Sequence, residues 1–253
     1  MRITFLGTGT SQGIPVIACE CAVCQSDDPR NKRLRTSVWI QTQGKSFVID
    51  TGPDFRQQML RANVKDLDAA IFTHQHKDHT AGLDDIRAFN HRHNRDIPLY
   101  GRESVLNQIQ NEFAYAFSAH RYPGVPHFEL HYIENEPFDV LGVKFIPIEV
   151  MHHHLAVYGY RVGNFTYITD ANYIAEEEQQ KITGSEVLVL DTLQKEPHLS
   201  HFTLEQSLAL IDKLAVPKAY LVHMSHKLGL HADIEKELPA NVHLAYDGLV
   251  LDL

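Results

Sequence analysis

The hydrophobic and polar positions of the chain fall into short runs that predict many strands separated by a few helices. The runs are rich in β-branched and aromatic residues, and Gly, Pro, Asn or Asp bound them. Gly44 lies between the second and third runs, which indicates a hairpin there. The predicted strands are residues 2–6, 37–42, 46–50, 69–73, 143–150, 158–162, 165–169, 187–191, 218–223 and 243–252.

Helices are predicted between these strands, mostly where apolar residues recur every three or four positions. The predicted helices are residues 54–63, 103–117, 204–215 and 232–238. The third has the clearest start, because Thr203 and Gln206 fit a capping box. Strands that alternate with helices, together with several hairpins, favour a layered α/β protein with mixed sheets.

The composition is that of an ordinary globular protein, since 43% of the 253 residues are hydrophobic and 22% are charged. Disordered, collagen-like and coiled-coil classes are therefore excluded. No repeat or low-complexity linker interrupts the chain, so we predict a single domain over residues 1–253. No apolar run approaches the ~18 residues of a membrane span, and the N-terminal run is too short for a signal peptide. We expect a cytoplasmic protein without a membrane partner.

The ionisable residues narrow the choice of partners further. The chain has 32 acidic and 23 basic side chains, which gives a formal charge of −9. This charge repels polyanions at long range, so nucleic acid is disfavoured as a partner. The 17 histidines are an unusually large number, and histidine is the commonest metal ligand in proteins. Metal coordination is therefore the first chemistry to consider.

Three cysteines, Cys19, Cys21 and Cys24, lie within six residues of one another. Their number is odd, and residues so close together make poor disulfide partners. The spacing favours a thiolate cluster that binds zinc, which usually takes four ligands and would need one more, a histidine above all. The alternative is a loop with three reduced thiols and no metal.

The strongest chemical signal follows the predicted strand 69–73, where His74, His76, Asp78 and His79 lie within six residues. A strand that ends here places these side chains at the carboxyl edge of a sheet, where α/β proteins commonly bind ligands. One tetrahedral ion rarely takes four ligands from so short a segment, so the pattern indicates two ions close together. A histidine-rich surface loop is the alternative.

His-x-His-x-Asp-His after a strand resembles the signature of the metallo-β-lactamase superfamily. Other motifs agree with that superfamily in order along the chain: Gly7-Thr8-Gly9-Thr10, Asp50-Thr51-Gly52, His152 after strand 143–150, Asp170, and His223 after residues 218–222. The resemblance implies an αββα sandwich, with two mixed β-sheets face to face and helices outside, and a binuclear metal site along one sheet edge.

The resemblance also implies roles for these residues. One divalent ion, zinc, manganese or iron, would be held by His74, His76 and His152, and the second by Asp78, His79 and His223. Asp170 would bridge the two ions. Asp50 would orient a ligand imidazole, as metal-bound histidines usually require, or would instead cap the helix at 54–63. His153 is an alternative to His152, because three histidines follow one another there.

A narrower resemblance is carried by Gly9-Thr10-Ser11-Gln12-Gly13-Ile14-Pro15 and the cysteine cluster that follows it. This segment is similar to the cyclic-phosphate phosphodiesterase family of the carbon–phosphorus lyase pathway. In that family the three cysteines bind a structural zinc together with a late histidine. The matching position here is His226, which would tie an N-terminal loop to the C-terminal part of the chain.

The same resemblance suggests how a phosphodiester would be cleaved. Two divalent ions can activate a hydroxide for attack on phosphorus, and Asp78 belongs to that catalytic centre. His201 matches the position of a general acid for the leaving group, although it could merely pack before the helix at 204–215. Arg87 matches a position that could bind substrate phosphate. His231, close to His226, could join the zinc region or lie on the surface.

We therefore expect a metal-dependent phosphodiesterase for small cyclic or diester phosphates, and relatives suggest a homodimer. A ribonuclease of the transfer-RNA 3′-end type is an alternative, but no basic flexible arm for RNA is present. A lactone or thioester hydrolase is a second alternative, because one fold supports several such reactions. A non-enzymatic metal-binding protein is the third, disfavoured because Asp78 and Asp170 are both retained.

Overall fold

Residues 1–120 and 122–253 are described by a computed structural model of the chain. The described chain divides into two compact units. The first unit comprises residues 1–6, 37–134 and 250–253, and the second comprises residues 7–36 and 135–249. Each unit contains one seven-stranded sheet and helices of its own.

The sheet of the first unit has the strand order β14-β1-β2-β3-β4-β5-β6. Its strands are β1 (Arg2–Gly7), β2 (Ser37–Thr42), β3 (Lys45–Ile49), β4 (Ala69–Ile71), β5 (Ile97–Gly101), β6 (Phe128–Tyr132) and β14 (Val250–Asp252). The pairs β14–β1 and β2–β3 are antiparallel, whereas β3 to β6 run parallel. The sheet is therefore mixed.

The α-helices in the described part of this unit are α1 (Phe55–Arg61), α2 (Lys77–Thr80), α3 (Arg87–His93), α4 (Glu103–Glu112) and α5 (Ala114–Phe117). Apolar residues of α1, α3 and α4, such as Phe55, Phe89 and Leu106, share one buried cluster with Val48 and Leu99 of the sheet. Burial of each such side chain stabilises the fold by roughly 1.5–3 kcal/mol before entropy is counted. This core holds the carboxyl ends of β3 and β4 in place.

The sheet of the second unit has the order β13-β12-β11-β10-β9-β8-β7. Its strands are β7 (Phe138–Val140), β8 (Val143–His152), β9 (Leu155–Val162), β10 (Phe165–Ile168), β11 (Val187–Asp191), β12 (Lys218–Val222) and β13 (Val242–Leu244). The strands β7 to β10 pair antiparallel and β10 to β13 parallel. The helices are α6 (Glu176–Ile182), α7 (Leu204–Leu214) and α8 (His231–Glu237). Apolar residues from α6, α7 and α8 pack into the same buried cluster as the strands.

The predicted α/β class with two mixed sheets and flanking helices is confirmed, and so are two local details. The hairpin at Gly44 joins β2 to β3, with Thr42 opposite Lys45. The capping box is formed at the start of α7, because the Gln206 backbone N–H donates to the Thr203 hydroxyl and the Thr203 N–H donates to the Gln206 side chain. Both features arise from neighbouring residues, which is why the sequence could predict them.

Some predictions about the elements are wrong. Residues 243–252 do not form one strand, because β13 and β14 belong to different sheets. Gly248, with φ of +92°, lies in the connection between them. Residues 103–117 form two helices, which meet at Phe113. The predictions missed the elements β5, β6, β7, α2, α3 and α6. Pro98 in β5 explains one omission, since proline argues against a central strand.

The sheet topology brings chemically active residues to strand ends. In the first unit, Asp50 directly follows β3 and His74 lies just beyond the neighbouring parallel strand β4. In the second unit, Asp170, Asp191 and His223 lie at or just after the ends of β10, β11 and β12, which are parallel neighbours. Carboxyl ends of parallel strands share one sheet edge, so residues distant in sequence meet there. Among the described residues, no helix has the length and apolar character needed to cross a bilayer.

Candidate metal centres

The loop after β4 gathers three imidazoles in the first unit. The ring of His74 lies 4.5 Å from that of His76 and 4.3 Å from that of His79, measured between centroids. The short helix α2 brings the third ring back, since the His79 N–H donates to the His76 carbonyl at 3.0 Å. His74 and His79 are buried and His76 is exposed. The loop thus places the ring nitrogens of two buried histidines and one exposed histidine close together.

Asp50 fixes one of these imidazoles. Its Oδ2 lies 2.7 Å from His79 Nδ1, and it accepts hydrogen bonds from the backbone N–H and hydroxyl of Thr73. Complete burial raises the pKa of Asp50, which the His79 contact opposes. With Nδ1 held by Asp50, His79 Nε2 points toward Asp78 Oδ2 at 3.1 Å. Asp50 therefore orients an imidazole, and it does not cap α1, which begins at Phe55.

In the second unit, the Asp170 carboxylate lies between two imidazoles. Its Oδ1 is 3.3 Å from His223 Nε2 and 4.0 Å from His152 Nε2. Asp170 and His223 have φ of 54° and 59°, the left-handed region that non-glycine residues rarely adopt. Such strain is typical of positions whose side chains must be aimed at a site. One carboxylate oxygen and two ring nitrogens form a donor set that suits zinc, manganese or iron.

Asp191 is a site residue that the sequence analysis missed. Its Oδ1 lies 3.0 Å from His201 Nδ1 and 3.6 Å from His223 Nδ1. The backbone N–H groups of Asp170 and Phe202 also donate to this carboxylate. A fully buried carboxylate thus orients the His201 imidazole and part of the loop that carries Asp170, and it also lies near His223. The signal was present in the sequence, because Asp191 ends an apolar strand just as Asp50 follows one.

The structure separates His152 from its neighbour His153. His152 ends β8, is buried, and has Nδ1 2.9 Å from the Ser200 carbonyl, which leaves Nε2 directed toward Asp170. The His201 ring lies 4.7 Å from the His152 ring and stacks on the His223 ring at 4.7 Å. His153 is exposed. The geometry therefore favours His152 over His153 as a candidate ligand and places the His201 ring between the rings of His152 and His223.

The three cysteines and His226 converge in the second unit. Cys19, Cys21 and Cys24 have Sγ atoms 3.2, 3.3 and 3.6 Å from His226 Nδ1, and all four donor atoms lie within 4.8 Å of one another. A tetrahedral zinc site requires donor separations of about 3.6 Å. The donors therefore fit a zinc ion in spacing and in chemistry.

The thiols of this cluster differ in acidity. The Cys24 backbone N–H and the His226 side chain lower the pKa of Cys21 to about 6, whereas burial raises the pKa of Cys24 to about 11. Backbone bonds between Thr8 or Thr10 and Met224 connect the N-terminal segment to the end of β12, two residues before His226. The cluster thus links distant parts of the second unit.

His231 is not one of the donors that converge at the cysteine cluster, and it is not on the surface. It is buried, and its Nδ1 is 3.0 Å from Arg33 Nη2. Burial and the Arg33 charge lower the pKa of His231 to about 4, so its ring is neutral and accepts from the guanidinium. Arg33 Nη1 also donates to the Thr8 hydroxyl and the Ala245 carbonyl. This network braces the segment that carries the cysteines.

Arg87 starts α3, with its side chain about half exposed. Its Nη1 lies 3.1 Å from Asp84 Oδ2. The guanidinium is thus engaged by a carboxylate of the preceding turn. A contact between Arg87 and substrate phosphate stays a prediction.

Residues 45–224 match the β-lactamase superfamily domain. A crystal structure of a diphosphatase from the PhnP family matches at 40% sequence identity and a TM-score of 0.93, covering 100% of this chain and 97% of that one.

Two curated relatives show the breadth of the similarity. An octanoyltransferase from Porphyromonas gingivalis is 39% identical over 252 residues, which is 98% of this chain and 51% of the relative. The chain thus spans about half the length of that protein, whose name describes the whole of it. A ribonuclease Z from Methanococcus aeolicus is 28% identical over 116 residues, covering 44% of this chain and 31% of the relative.

Proposed function

The chain belongs to the β-lactamase superfamily, and on that premise we propose that it is a metal-dependent phosphodiesterase for small cyclic or diester phosphates. The domain match and the similarity to a diphosphatase over the full chain make it a hydrolase of the metallo-β-lactamase fold. The αββα fold class expected from the sequence is thereby confirmed. The phosphoric ester specificity is the part that we propose.

We propose that the ligands divide as the family resemblance implies. His74, His76 and His152 would hold one divalent ion, Asp78, His79 and His223 a second, and Asp170 would be shared. Bound divalent ions would supply Lewis acidity toward the phosphate and lower the pKa of a water molecule. Zinc, manganese and iron all suit this donor set. Cys19, Cys21, Cys24 and His226 would hold a third ion, a structural zinc.

The observation that carries the proposal is the arrangement at the strand ends of the second unit. A single buried carboxylate, Asp170, lies within reach of two imidazoles, and a second, Asp191, lies behind His201 and His223. Asp191 binds His201 at Nδ1, so the proton that His201 would donate is the one on Nε2 of its imidazolium form. We propose that His201 protonates the leaving alkoxide, an effect that typically contributes ~10²–10⁴-fold.

Metal analysis joined to a substrate screen tests the function. The purified protein, loaded in turn with zinc, manganese or iron, is assayed against a cyclic phosphate, a linear phosphodiester, a lactone and a thioester. We expect metal-dependent cleavage of the phosphodiesters. Faster lactone or thioester cleavage would assign the protein to another hydrolase class, and no turnover by metal-loaded protein would favour a non-enzymatic role. Light scattering on the same sample tests the homodimer that relatives suggest.

Ribonuclease activity of the transfer-RNA 3′-end type is the second candidate, because the similarity to a ribonuclease Z covers 44% of this chain. The charge of −9 disfavours a polyanion at long range. A gel-shift assay with transfer RNA at increasing salt compares the two candidates. Tight, salt-sensitive binding with 3′-end cleavage would replace the small-molecule proposal.

A further inference from the structure

A groove of about 470 Å³ lies along helices α1 and α3 of the first unit. Six of the side chains that line it are apolar: Phe55, Met59, Leu60, Val64, Ala88 and Phe89. Among the residues that the structure describes, the lining includes no candidate metal ligand. Cavities that bind small ligands in proteins usually measure ~300–1,000 Å³, so this groove has the size of a binding site.

The spacing of residues on the two helices produces the apolar floor of this groove. In α1, Met59 and Leu60 follow Arg56 by three and four residues, so the three side chains share one face. In α3, Phe89 and Arg92 are three residues apart. Met59 and Phe89 belong to the buried core of the unit, which holds the floor in place. The Leu60 side chain is 64% exposed and would leave water when an apolar group binds.

Three cations line the same groove. Arg56, Lys65 and Arg92 are exposed, and Asp85 is the only carboxylate in the lining that the structure describes. For the same part of the chain, no hydrogen bond or ion pair engages the side chains of these three cations. The whole chain carries a formal charge of −9, so an excess of cations over carboxylates here is contrary to its average. The local field favours an anion.

The chemistry of the lining indicates the kind of ligand. Its described side chains are either apolar or charged, and none is a neutral hydrogen-bonding group. A base or a sugar would lose hydrogen bonds to water there without replacement, whereas an unbranched alkyl chain would lose none. Met59 can adapt its shape to such a chain, and Arg56 or Arg92 can bind a carboxylate through two parallel hydrogen bonds.

The size of the groove argues against a protein as its occupant. Ten residues line it, whereas a stable protein interface has roughly 20–30 residues on each side. A single alkyl chain with one anionic end needs no larger surface. The apolar floor and the three cations together therefore fit the anion of a fatty acid.

We propose that the groove along α1 and α3 is a binding site for a free fatty acid of medium chain length. The alkyl chain would cover Leu60 and Ala88, and its carboxylate would pair with Arg56, Lys65 or Arg92. The site uses none of the candidate metal ligands, so the proposal goes beyond the phosphodiesterase function and does not depend on it.

Calorimetry on the metal-loaded protein tests this site with hexanoate, octanoate, decanoate and the uncharged 1-octanol. The Kd of the acids should fall about two- to fourfold for each added CH₂, because each CH₂ leaves water in the groove. The variant Arg56→Gln/Lys65→Gln/Arg92→Gln removes the three exposed cations. It should raise the Kd of octanoate about 3- to 100-fold, the combined range of three exposed ion pairs. Its Kd for 1-octanol should change less than about twofold.

A second variant, Ala88→Trp, tests the position of the site. Ala88 is exposed in α3 and lines the groove, so an indole at this position should fill it and abolish binding of all four ligands. The matched control is Ala114→Trp, at an exposed alanine of α5 that does not line the groove. This variant should bind octanoate as wild type does. Tm values of both variants show whether the fold is intact.

Three outcomes would overturn the proposal. Octanoate binding that survives in folded Ala88→Trp would place the anion elsewhere, for example at a metal centre. Acids that do not bind, together with sedimentation on phosphatidylglycerol vesicles that Ala88→Trp abolishes, would make a membrane surface the occupant. A dimer that Ala88→Trp converts to a monomer, measured by light scattering, would make a second copy of the chain the occupant.

Discussion

Two clusters in the second unit have similar numbers of metal-binding side chains and very different surroundings. At the cysteine cluster, three thiols and His226 face one another directly, at separations of 3.2 to 3.6 Å between sulfur and nitrogen. At the strand ends, Asp170, His152 and His223 are backed by another carboxylate, Asp191, and by the Ser200 carbonyl. The first cluster thus consists of four donors that contact one another, whereas the donors of the second cluster are positioned by further polar groups.

The difference shows what each cluster is suited to do. Four converging donors leave no open position on a tetrahedral ion, which is the character of a structural zinc site. Imidazoles fixed by buried carboxylates are oriented for ligands or protons that come from outside. Asp50 does the same for His79 in the first unit. We therefore expect changes at the two clusters to have separable effects on stability and on turnover.

Asp170→Ala is expected to have the largest effect. It removes the carboxylate that lies between His152 and His223, so turnover should fall by more than the roughly 100-fold loss typical of outer partners. The zinc of the cysteine cluster should remain bound, which metal analysis would show as partial rather than complete loss. Near wild-type kinetics would be incompatible with a shared carboxylate ligand.

Cys21→Ser should produce the converse result. The variant should lose about one zinc per chain, and a loss of ~3 kcal/mol would lower Tm by roughly 6–12 °C. The kcat of the folded fraction should stay within about twofold of wild type. Differential scanning calorimetry and metal analysis check both statements, with His243→Gln as a control at a histidine outside the cluster. Unchanged zinc content and Tm would rule the structural site out.

Asp191→Asn should weaken the hydrogen bond that orients His201 without removing a proposed metal ligand. An amide can accept at only one atom and carries no charge, so we expect turnover to fall about 10–100-fold. Tm should change much less than in Cys21→Ser. Steady-state kinetics at saturating metal measures the loss, and the variant Asp191→Glu should restore part of it if the carboxylate acts by orienting His201. Equal loss in both variants together with unfolding would instead indicate a purely structural role.

The smallest effect is expected for the pH dependence of stability that arises from His231, which contacts Arg33. The folded pKa of His231, about 4, is below the ordinary 6.5, so the folded state binds protons less readily than the unfolded chain. Stability is then fully present above pH 6.5 and is lost as the pH falls toward 4, by about 1 kcal/mol at pH 5.5.

Urea denaturation of metal-free protein at pH 7.5 and 5.5 measures this loss of stability without interference from zinc release. In His231→Gln the decrease between the two pH values should be smaller by about 1 kcal/mol. A decrease equal to that of wild type would show that His231 does not cause this pH dependence of the free energy of unfolding.

The local pattern of the sequence determined most strands, the hairpin at Gly44 and the start of α7, because each depends on neighbouring residues. It also predicted His74 to His79 and the three cysteines as chemical clusters, since close spacing places such donors together in any fold. The missing strands β5 to β7 have weak or interrupted apolar patterns, such as the proline in β5. Their positions depend on neighbours in the sheet and not on their own residues.

The sequence by itself determined which side chains could bind metal, and resemblance supplied His152, His223 and His226. Only the tertiary structure decided that Asp191 lies behind His201, that Asp50 serves His79 rather than α1, and that residues 243–252 divide between two sheets. The reason is physical: these contacts join positions far apart in the chain, and the order of parallel strands determines which carboxyl ends meet. The hydrophobic periodicity of a segment does not determine that order.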